Sequence, residues 1–183
     1  MAAADPVLRV AGLGEADAID ALMKASTAAL FPAFYDERQT ASGVRYIAEV
    51  DRMLIEDGTY YVHEIDGEIV ACGGWSRRNR LYAGSGEADD DDRLLDPATE
   101  PARVRAMFVR SDWTRRGLGR AILETCERAA RDEGFTMMAL MATLPGEQLY
   151  RAYGFREIER TIVMTPDGIG TAAVAMERPI DPI

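Results

Sequence analysis

The sequence predicts a single α/β domain with a mixed central sheet of about six or seven strands, flanked by about four helices. Its segments follow the order strand, two helices, hairpin, strand–helix–strand, short helix and two strands. A chain of 183 residues is long enough to bury one self-contained core. Because no internal repeat and no linker divides the chain, we expect residues 1–183 to form one domain.

The first half contains one short strand, two helices and a hairpin. Residues 6–12 alternate weakly between apolar and polar and predict the strand. Apolar residues at helical spacing predict a helix over 15–30 and a second over 38–56, which Gly58 ends. The run TYYVHEIDGEIVACGGW predicts a β-hairpin, because Asp66–Gly67 suits a two-residue turn with positive φ.

The polar segment 77–101 predicts a long loop or insertion in the domain. It contains EADDDDR and two prolines. Its acidic run, 87–92, could bind a metal ion, but a solvated charge run is the simpler interpretation. Strand character returns only at residue 103.

The second half alternates strands and helices, with glycines at several boundaries. Residues 103–109 predict a strand, and apolar positions from Leu118 onward predict a helix that Gly134 ends. The remaining predicted elements are a strand over 135–142, a short helix GEQLYRAY ended by Gly154, and strands over 155–165 and 171–178 around a PDG turn.

The charge and hydropathy of the chain exclude several classes of partner. The formal net charge is −10, from 21 Lys and Arg against 31 Asp and Glu, which repels nucleic acid. No apolar run approaches the roughly 20 residues that cross a bilayer. The N-terminus lacks the pattern of a signal peptide. We therefore expect no nucleic-acid or membrane partner, and a cytoplasmic location.

Cysteine and histidine are too few for a predicted metal site. The sequence has two cysteines, Cys72 and Cys126, and one histidine, His63. The cysteines lie in a strand-like run and a helix, which predicts small buried thiols rather than a disulfide. No cysteine pair has the spacing of zinc ligands, so we expect no bound metal.

The stretch DWTRRGLGRAIL, residues 112–123, places two glycines behind two arginines and before a helix. Glycine costs entropy when ordered, so such a pair indicates a backbone requirement. A dinucleotide loop would need a third glycine where Ile122 stands, and an ATP loop would need Gly-Lys-Ser/Thr. Two interpretations remain: a structural strand–helix turn, or a loop that binds another phosphate ligand through free N–H groups at the helix start.

The motifs around this loop resemble the GNAT superfamily of acetyl-CoA-dependent N-acetyltransferases. The family's phosphate signature, Gln/Arg-x-x-Gly-x-Gly/Ala, is similar to TRRGLG (114–119), although Thr114 replaces the first Gln or Arg. Met107-Phe108-Val109 resembles the end of the preceding strand in that family. LYRAYGF (149–155) is similar to its later motif Leu-Tyr-x-x-x-Gly-Phe. The resemblance is close over about 100–165 and implies the GNAT fold.

The resemblance implies acetyl-CoA as the acetyl donor and direct transfer to an amine. The acidic net charge favours a small-molecule acceptor. By resemblance, backbone groups of Phe108 and Val109 hold the pantetheine arm, and Tyr150 is the general acid for the departing thiolate, whereas Tyr153 packs. The implied cofactor-binding residues are Phe108, Val109, Thr114, Arg115, Arg116, Gly117, Leu118, Gly119 and Arg120.

Several features of the acceptor side stay open. The strand 103–109 has no carboxylate, and the candidate bases are His63, Glu64 and the acids of 77–101. Aromatic residues that could either line the acceptor site or pack internally are Phe31, Phe34, Tyr35, Trp75 and Tyr82. Because the strand lacks a carboxylate, a non-catalytic acyl-CoA-binding sensor or regulatory module is the alternative function. Family members often dimerise through their terminal strands, so a homodimer is a further expectation.

Overall fold

The computed structural model describes residues 4–80 and 92–183. Tyr82 and most of the acidic run lie outside these residues, so the predictions for them stay predictions. No helix in the described part of the chain is long and apolar enough to cross a bilayer.

The strands are β1 (Val7–Val10), β2 (Tyr60–Ile65), β3 (Glu68–Ser76), β4 (Ala102–Val109), β5 (Met137–Thr143), β6 (Arg156–Met164) and β7 (Gly170–Pro179). The α-helices are α1 (Ala16–Leu30), α2 (Glu37–Ser42), α3 (Arg52–Glu56), α4 (Leu118–Asp132) and α5 (Leu144–Tyr153).

The seven strands form one mixed sheet in the order β1-β2-β3-β4-β5-β7-β6. All neighbouring pairs are antiparallel except β4 and β5, which are parallel. The register of β4 against β5 covers only Ala102 with Met138 and Arg103 with Ala139. Beyond Arg103 the two strands separate, which opens the middle of the sheet. The predicted mixed α/β sheet of six or seven strands is confirmed.

Two hydrophobic cores lie on opposite faces of the sheet. The larger core joins α4 and α5 to the central strands, with Ile122, Leu123 and Met138 fully buried. The smaller core packs α1 and α3 against β2 and β3, with Ile19 and Met23 fully buried. Both cysteines are free and buried in these cores, and burial raises the pKa of the Cys72 thiol to about 12.

The predicted helix over 38–56 is wrong as a single element. The chain forms α2, a π-helical turn over Gly43–Ile47, and then α3. Ala48 leaves the helical region at φ −80° and ψ 67°, and Asp51 starts α3 by accepting from the Met53 N–H at 3.0 Å. Asp is a strong N-cap residue, so it begins a new helix inside an apolar pattern that otherwise runs on.

The predicted hairpin turn at Asp66–Gly67 is confirmed. Asp66 has φ 51° and Gly67 has φ 80°, the positive values that a two-residue hairpin turn of this type requires. β2 and β3 pair directly on either side of it. The hairpin places β3 against β4 and so supports the strand that borders the opening in the sheet.

Candidate functional site

A cleft of about 810 Å³ opens where β4 and β5 separate, a volume typical of small-molecule sites. One wall is β4 from Val104 to Val109, and the facing wall comes from β5 and α5. The loop before α4 borders the cleft at the end of β4. The segment between α1 and α3 and the turn between β6 and β7 border it elsewhere.

A β-bulge shapes the β4 wall. Cys72 pairs with Phe108 and Gly74 with Arg105, so Gly73 alone faces two residues of β4. Ala106, one of the two, has φ 50°, and its carbonyl accepts a hydrogen bond from the Tyr60 hydroxyl at 2.7 Å. Bulges bend a strand and change the direction of its side chains. This one lies directly before the residues predicted to hold pantetheine.

Phe108 and Val109 both lie on the cleft wall. The Val109 carbonyl accepts a hydrogen bond from the Ser26 hydroxyl at 2.7 Å, and Ser26 is buried on α1. Across the separation, β4 has no strand partner beyond Arg103 in the described chain. The carbonyl at the end of β4 is therefore held by α1, while the strand edge faces the cleft.

The loop before α4 presents free backbone donors to the cleft. Gly117 precedes the helix at φ 80°, and Arg115 also has a positive φ of 61°. The N–H groups of residues 117–120 find no acceptor among the described residues. They coincide with the first turn of a 15-residue helix, where the helix dipole adds positive potential. The arrangement suits an anionic ligand.

Gly119 has a packing role that the sequence interpretation missed. A Cβ at this position would lie 2.7 Å from Leu149 Cδ2 on α5. By contrast, nothing lies within 4 Å of a Cβ built at Gly117, whose requirement is the positive φ. The two glycines therefore differ: Gly117 has the positive φ of the loop, and Gly119 makes room for the Leu149 side chain of α5.

The side chains of the remaining loop residues differ in whether they line the cleft. Thr114, Arg115, Leu118 and Arg120 line the cleft, whereas Arg116 does not. The Thr114 hydroxyl donates to the Ser111 carbonyl at 3.0 Å, which closes the loop internally. The Arg116 guanidinium lies 4.4 Å above the Trp113 ring, and Arg120 pairs with Glu124 at 3.2 Å. Positive charge thus surrounds the free N–H groups.

Tyr150 on α5 forms part of the facing wall. Its side chain is buried against Phe155, with ring centroids 5.8 Å apart. The hydroxyl makes no hydrogen bond with any described residue. Burial raises the pKa of Tyr150 above its ordinary value, so the phenol stays protonated at neutral pH. A protonated, unpartnered hydroxyl on a cleft wall can donate to a ligand.

The chain was compared with protein-family models. The model of the acetyltransferase (GNAT) family matches residues 20–155, which include the β4 wall, the loop and α5. The chain belongs to the GNAT family of acetyltransferases. A comparison with curated protein sequences finds no match.

Solved structures with the same fold include three acetyltransferases. A GCN5-related N-acetyltransferase from Rhodopseudomonas palustris shares 18% identity over 98% of each chain, with a TM-score of 0.72. The PaiA N-acetyltransferase from Thermoplasma acidophilum, solved with coenzyme A, shares 12% identity over 96% of this chain and 99% of its own, with a TM-score of 0.65. YncA from Salmonella typhimurium, solved with acetyl-CoA, shares 15% identity over 98% of this chain and 96% of its own, with a TM-score of 0.63.

In this GNAT protein, the two candidate bases of the hairpin lie away from the cleft. His63 is 4% exposed, its Nε2 lies 3.1 Å from the Leu118 carbonyl oxygen, and burial lowers its pKa. Glu64 accepts a hydrogen bond from Arg9 at 2.9 Å on the outer side of the sheet. Neither residue lines the cleft.

The predicted acceptor-site aromatics of this GNAT protein divide into two groups. Phe31 and Phe34 line the cleft. Trp75 is 1% exposed and packs edge-on against Phe135 in the larger core. The Tyr35 hydroxyl donates to the Ala172 carbonyl at 2.8 Å and accepts from the Leu144 N–H, and Tyr35 is not on the wall. For Trp75 and Tyr35, the packing interpretation is therefore correct.

Sequence reasoning missed Glu49, the one carboxylate on the cleft wall within the described residues. The predicted helix over 38–56 includes Glu49 and places its side chain on the solvent-facing side. The break after Ile47 moves it to the cleft instead. The only local signal is Asp51, whose preference for the start of a helix could have placed that break.

Proposed function

We propose that the protein transfers the acetyl group of acetyl-CoA directly to the amine of a small molecule. The observation that carries this proposal is a single cleft that joins the free N–H groups of the α4 start to the Tyr150 hydroxyl. The N–H groups can bind a diphosphate, and the Tyr150 hydroxyl can donate a proton to a thioester sulfur. A purely structural strand–helix turn would not need both.

The donor would be held mainly by main chain. The N–H groups of residues 117–120 bind the diphosphate, with Arg115 and Arg120 adding positive charge. The pantetheine arm lies along Phe108 and Val109, on the open edge of β4. Because these contacts use backbone groups, Thr114 can replace the family's Gln or Arg without loss of the site.

The residues then assist one bond exchange. The acceptor ammonium loses a proton to solvent, its nitrogen bonds to the acetyl carbon and then loses a second proton to solvent, and the bond from that carbon to sulfur breaks. Sulfur leaves with the electron pair and takes a proton from the Tyr150 hydroxyl, which solvent then restores. Proton donation of this kind contributes typically about 10²–10⁴-fold to a rate. The alternative, a non-catalytic acyl-CoA sensor, needs no such donor.

The experiment is an assay of free CoA thiol with acetyl-CoA and a panel of small amines. We expect thiol release that depends on the amine, together with the acetylated amine in equal amount. Acetyl-CoA binding without amine-dependent release would instead support the sensor. Absence of both binding and release would contradict the proposal.

A further inference from the structure

Glu49 is held in the cleft wall by a fixed piece of backbone. Lys24 Nζ donates to the Ala48 carbonyl at 2.7 Å and to Asp20 Oδ2 at 2.7 Å. Asp20 Oδ1 accepts from the Val50 N–H at 3.2 Å. Both neighbours of Glu49 are thereby tied to α1. The Glu49 side chain itself is exposed and makes no hydrogen bond or ion pair with any described residue.

The charges near Glu49 leave its carboxylate available. Arg105 is the basic residue of the β4 wall, is 2% exposed, and donates to Asp51 at 3.1 Å. Asp51 also lies 3.6 Å from the Arg80 guanidinium, so the three side chains form one charged cluster that engages Arg105. The other basic residues on the wall, Arg115 and Arg120, belong to the loop before α4. Glu49 is the one carboxylate on the cleft wall within the described residues, and it has no ion pair with any of them.

The wall beside Glu49 is apolar and aromatic. The segment between α1 and α3 contributes Phe31, Phe34, Tyr46 and Ile47 to the cleft. Phe34 is 53% exposed, so part of its ring is accessible to a ligand. Such a surface favours an apolar body on the ligand, because contact with it removes apolar area from water.

Two hydrogen bonds connect the segment around α2 to the residues between and after β6, beside the cleft. Ser42 Oγ lies 2.6 Å from Thr165 Oγ1, and Gln39 Nε2 donates to the Gly170 carbonyl at 3.0 Å. These bonds join the segment around α2 to the turn between β6 and β7. The cleft volume of about 810 Å³ fits a small molecule.

We infer that the acceptor is a small primary amine with an aromatic or bulky apolar body, and that Glu49 binds its ammonium group. The inference rests on the proposed function and assigns its acceptor class. Glu49 contributes to binding of the acceptor, because the amine enters the cleft as an ammonium ion and loses its proton afterwards. The apolar wall then holds the body of the amine.

The test uses 2-phenylethylamine as acceptor and 2-phenylethanol as an inhibitor of the same shape without the charge. We expect Glu49→Gln to raise the KM for the amine about tenfold, the effect of losing a charge-assisted hydrogen bond. The inhibition constant of the alcohol should change by less than about twofold, because it makes no ion pair. The control is Glu56→Gln, an exposed carboxylate on α3 that lies off the cleft and should change neither value.

Three outcomes would overturn the inference. Equal changes in the KM for the amine and in the inhibition constant of the alcohol would mean that Glu49 does not recognise the positive charge of the acceptor. No change in either constant would mean that Glu49 does not contact the acceptor. Acetylation of a peptide amine but not of 2-phenylethylamine would exclude this acceptor class while leaving amine acetylation intact. That last result separates failure of the inference from failure of the proposed function, in which no amine releases CoA.

Discussion

Tyr150 and Tyr153 lie three residues apart on α5, yet their hydroxyl groups have different surroundings. The Tyr153 hydroxyl donates to Glu127 at 2.5 Å, and Glu127 also accepts from Arg178 at 2.6 Å. Tyr150 lines the cleft, and its hydroxyl has no hydrogen-bond partner among the described residues. The Tyr153 hydroxyl therefore stabilises the fold, whereas the Tyr150 hydroxyl is available to a ligand.

We expect Tyr150→Phe to lower kcat by about 10²–10⁴-fold, because it removes the proton donor. Acetyl-CoA affinity should stay nearly unchanged, since the diphosphate contacts are elsewhere. Steady-state kinetics and a binding titration measure the two effects. The matched control, Tyr153→Phe, should keep kcat but lower the free energy of unfolding by about 1–3 kcal/mol, because Glu127 loses a buried partner. Unchanged turnover in Tyr150→Phe would remove Tyr150 from the mechanism.

The pKa of Tyr150 leads to a second prediction at this scale. The acid form is the active form, and burial raises the pKa above the ordinary value near 10. Raising the pKa of an acid extends its protonated range upward, so kcat should show no loss from Tyr150 deprotonation below about pH 10. The pH profile of kcat measures this. A falling limb at lower pH that disappears in Tyr150→Phe would contradict it.

At the scale of elements, the contact of α4 with α5 depends on Gly119. We expect Gly119→Ala to lower the unfolding free energy by no more than about 1 kcal/mol, because the new Cβ would lie 2.7 Å from the end of the Leu149 side chain, which must move, whereas alanine favours the helix. Denaturant unfolding measures it. In a Leu149→Ala background the clash is gone, so the same substitution should cost much less. Equal costs in both backgrounds would show that Gly119 is needed for another reason.

The element scale also shows what the sequence could predict. The strands, the hairpin turn and α4 follow from apolar periodicity and from turn residues such as Asp66–Gly67. The separation of β4 from β5 does not, because periodicity assigns residues to a face but contains no inter-strand register. Val109 and Tyr150, which the motifs single out, both line the cleft, and their roles there stay predictions. Glu49 was missed because its position depends on a helix break within a continuous apolar pattern.

At the scale of the whole molecule, β6 is an exposed edge of the sheet. Ile158, Ile162 and Met164 on it are 61%, 59% and 60% exposed. Exposed apolar edge strands pair readily with other chains, which supports the predicted homodimer. We expect light scattering to give the mass of a dimer, and Ile162→Lys to reduce it to that of a monomer. Val10→Lys, at an exposed residue of the opposite edge strand, is the control and should leave the mass unchanged; a monomeric parent would contradict the prediction.

The central claim is that one cleft binds acetyl-CoA through the free N–H groups at the start of α4. Calorimetric titration of acetyl-CoA into the parent, Gly117→Asn and Gly117→Asp tests it most directly. Asn and Asp both tolerate the φ of 80° at this position and have the same shape, and no atom lies within 4 Å of the added Cβ.

The two variants differ only in the negative charge placed beside the diphosphate. We predict saturable binding by the parent, binding largely kept in Gly117→Asn, and an affinity at least about tenfold weaker in Gly117→Asp than in Gly117→Asn. Equal affinities of the two variants, or no binding by the parent, would contradict the account.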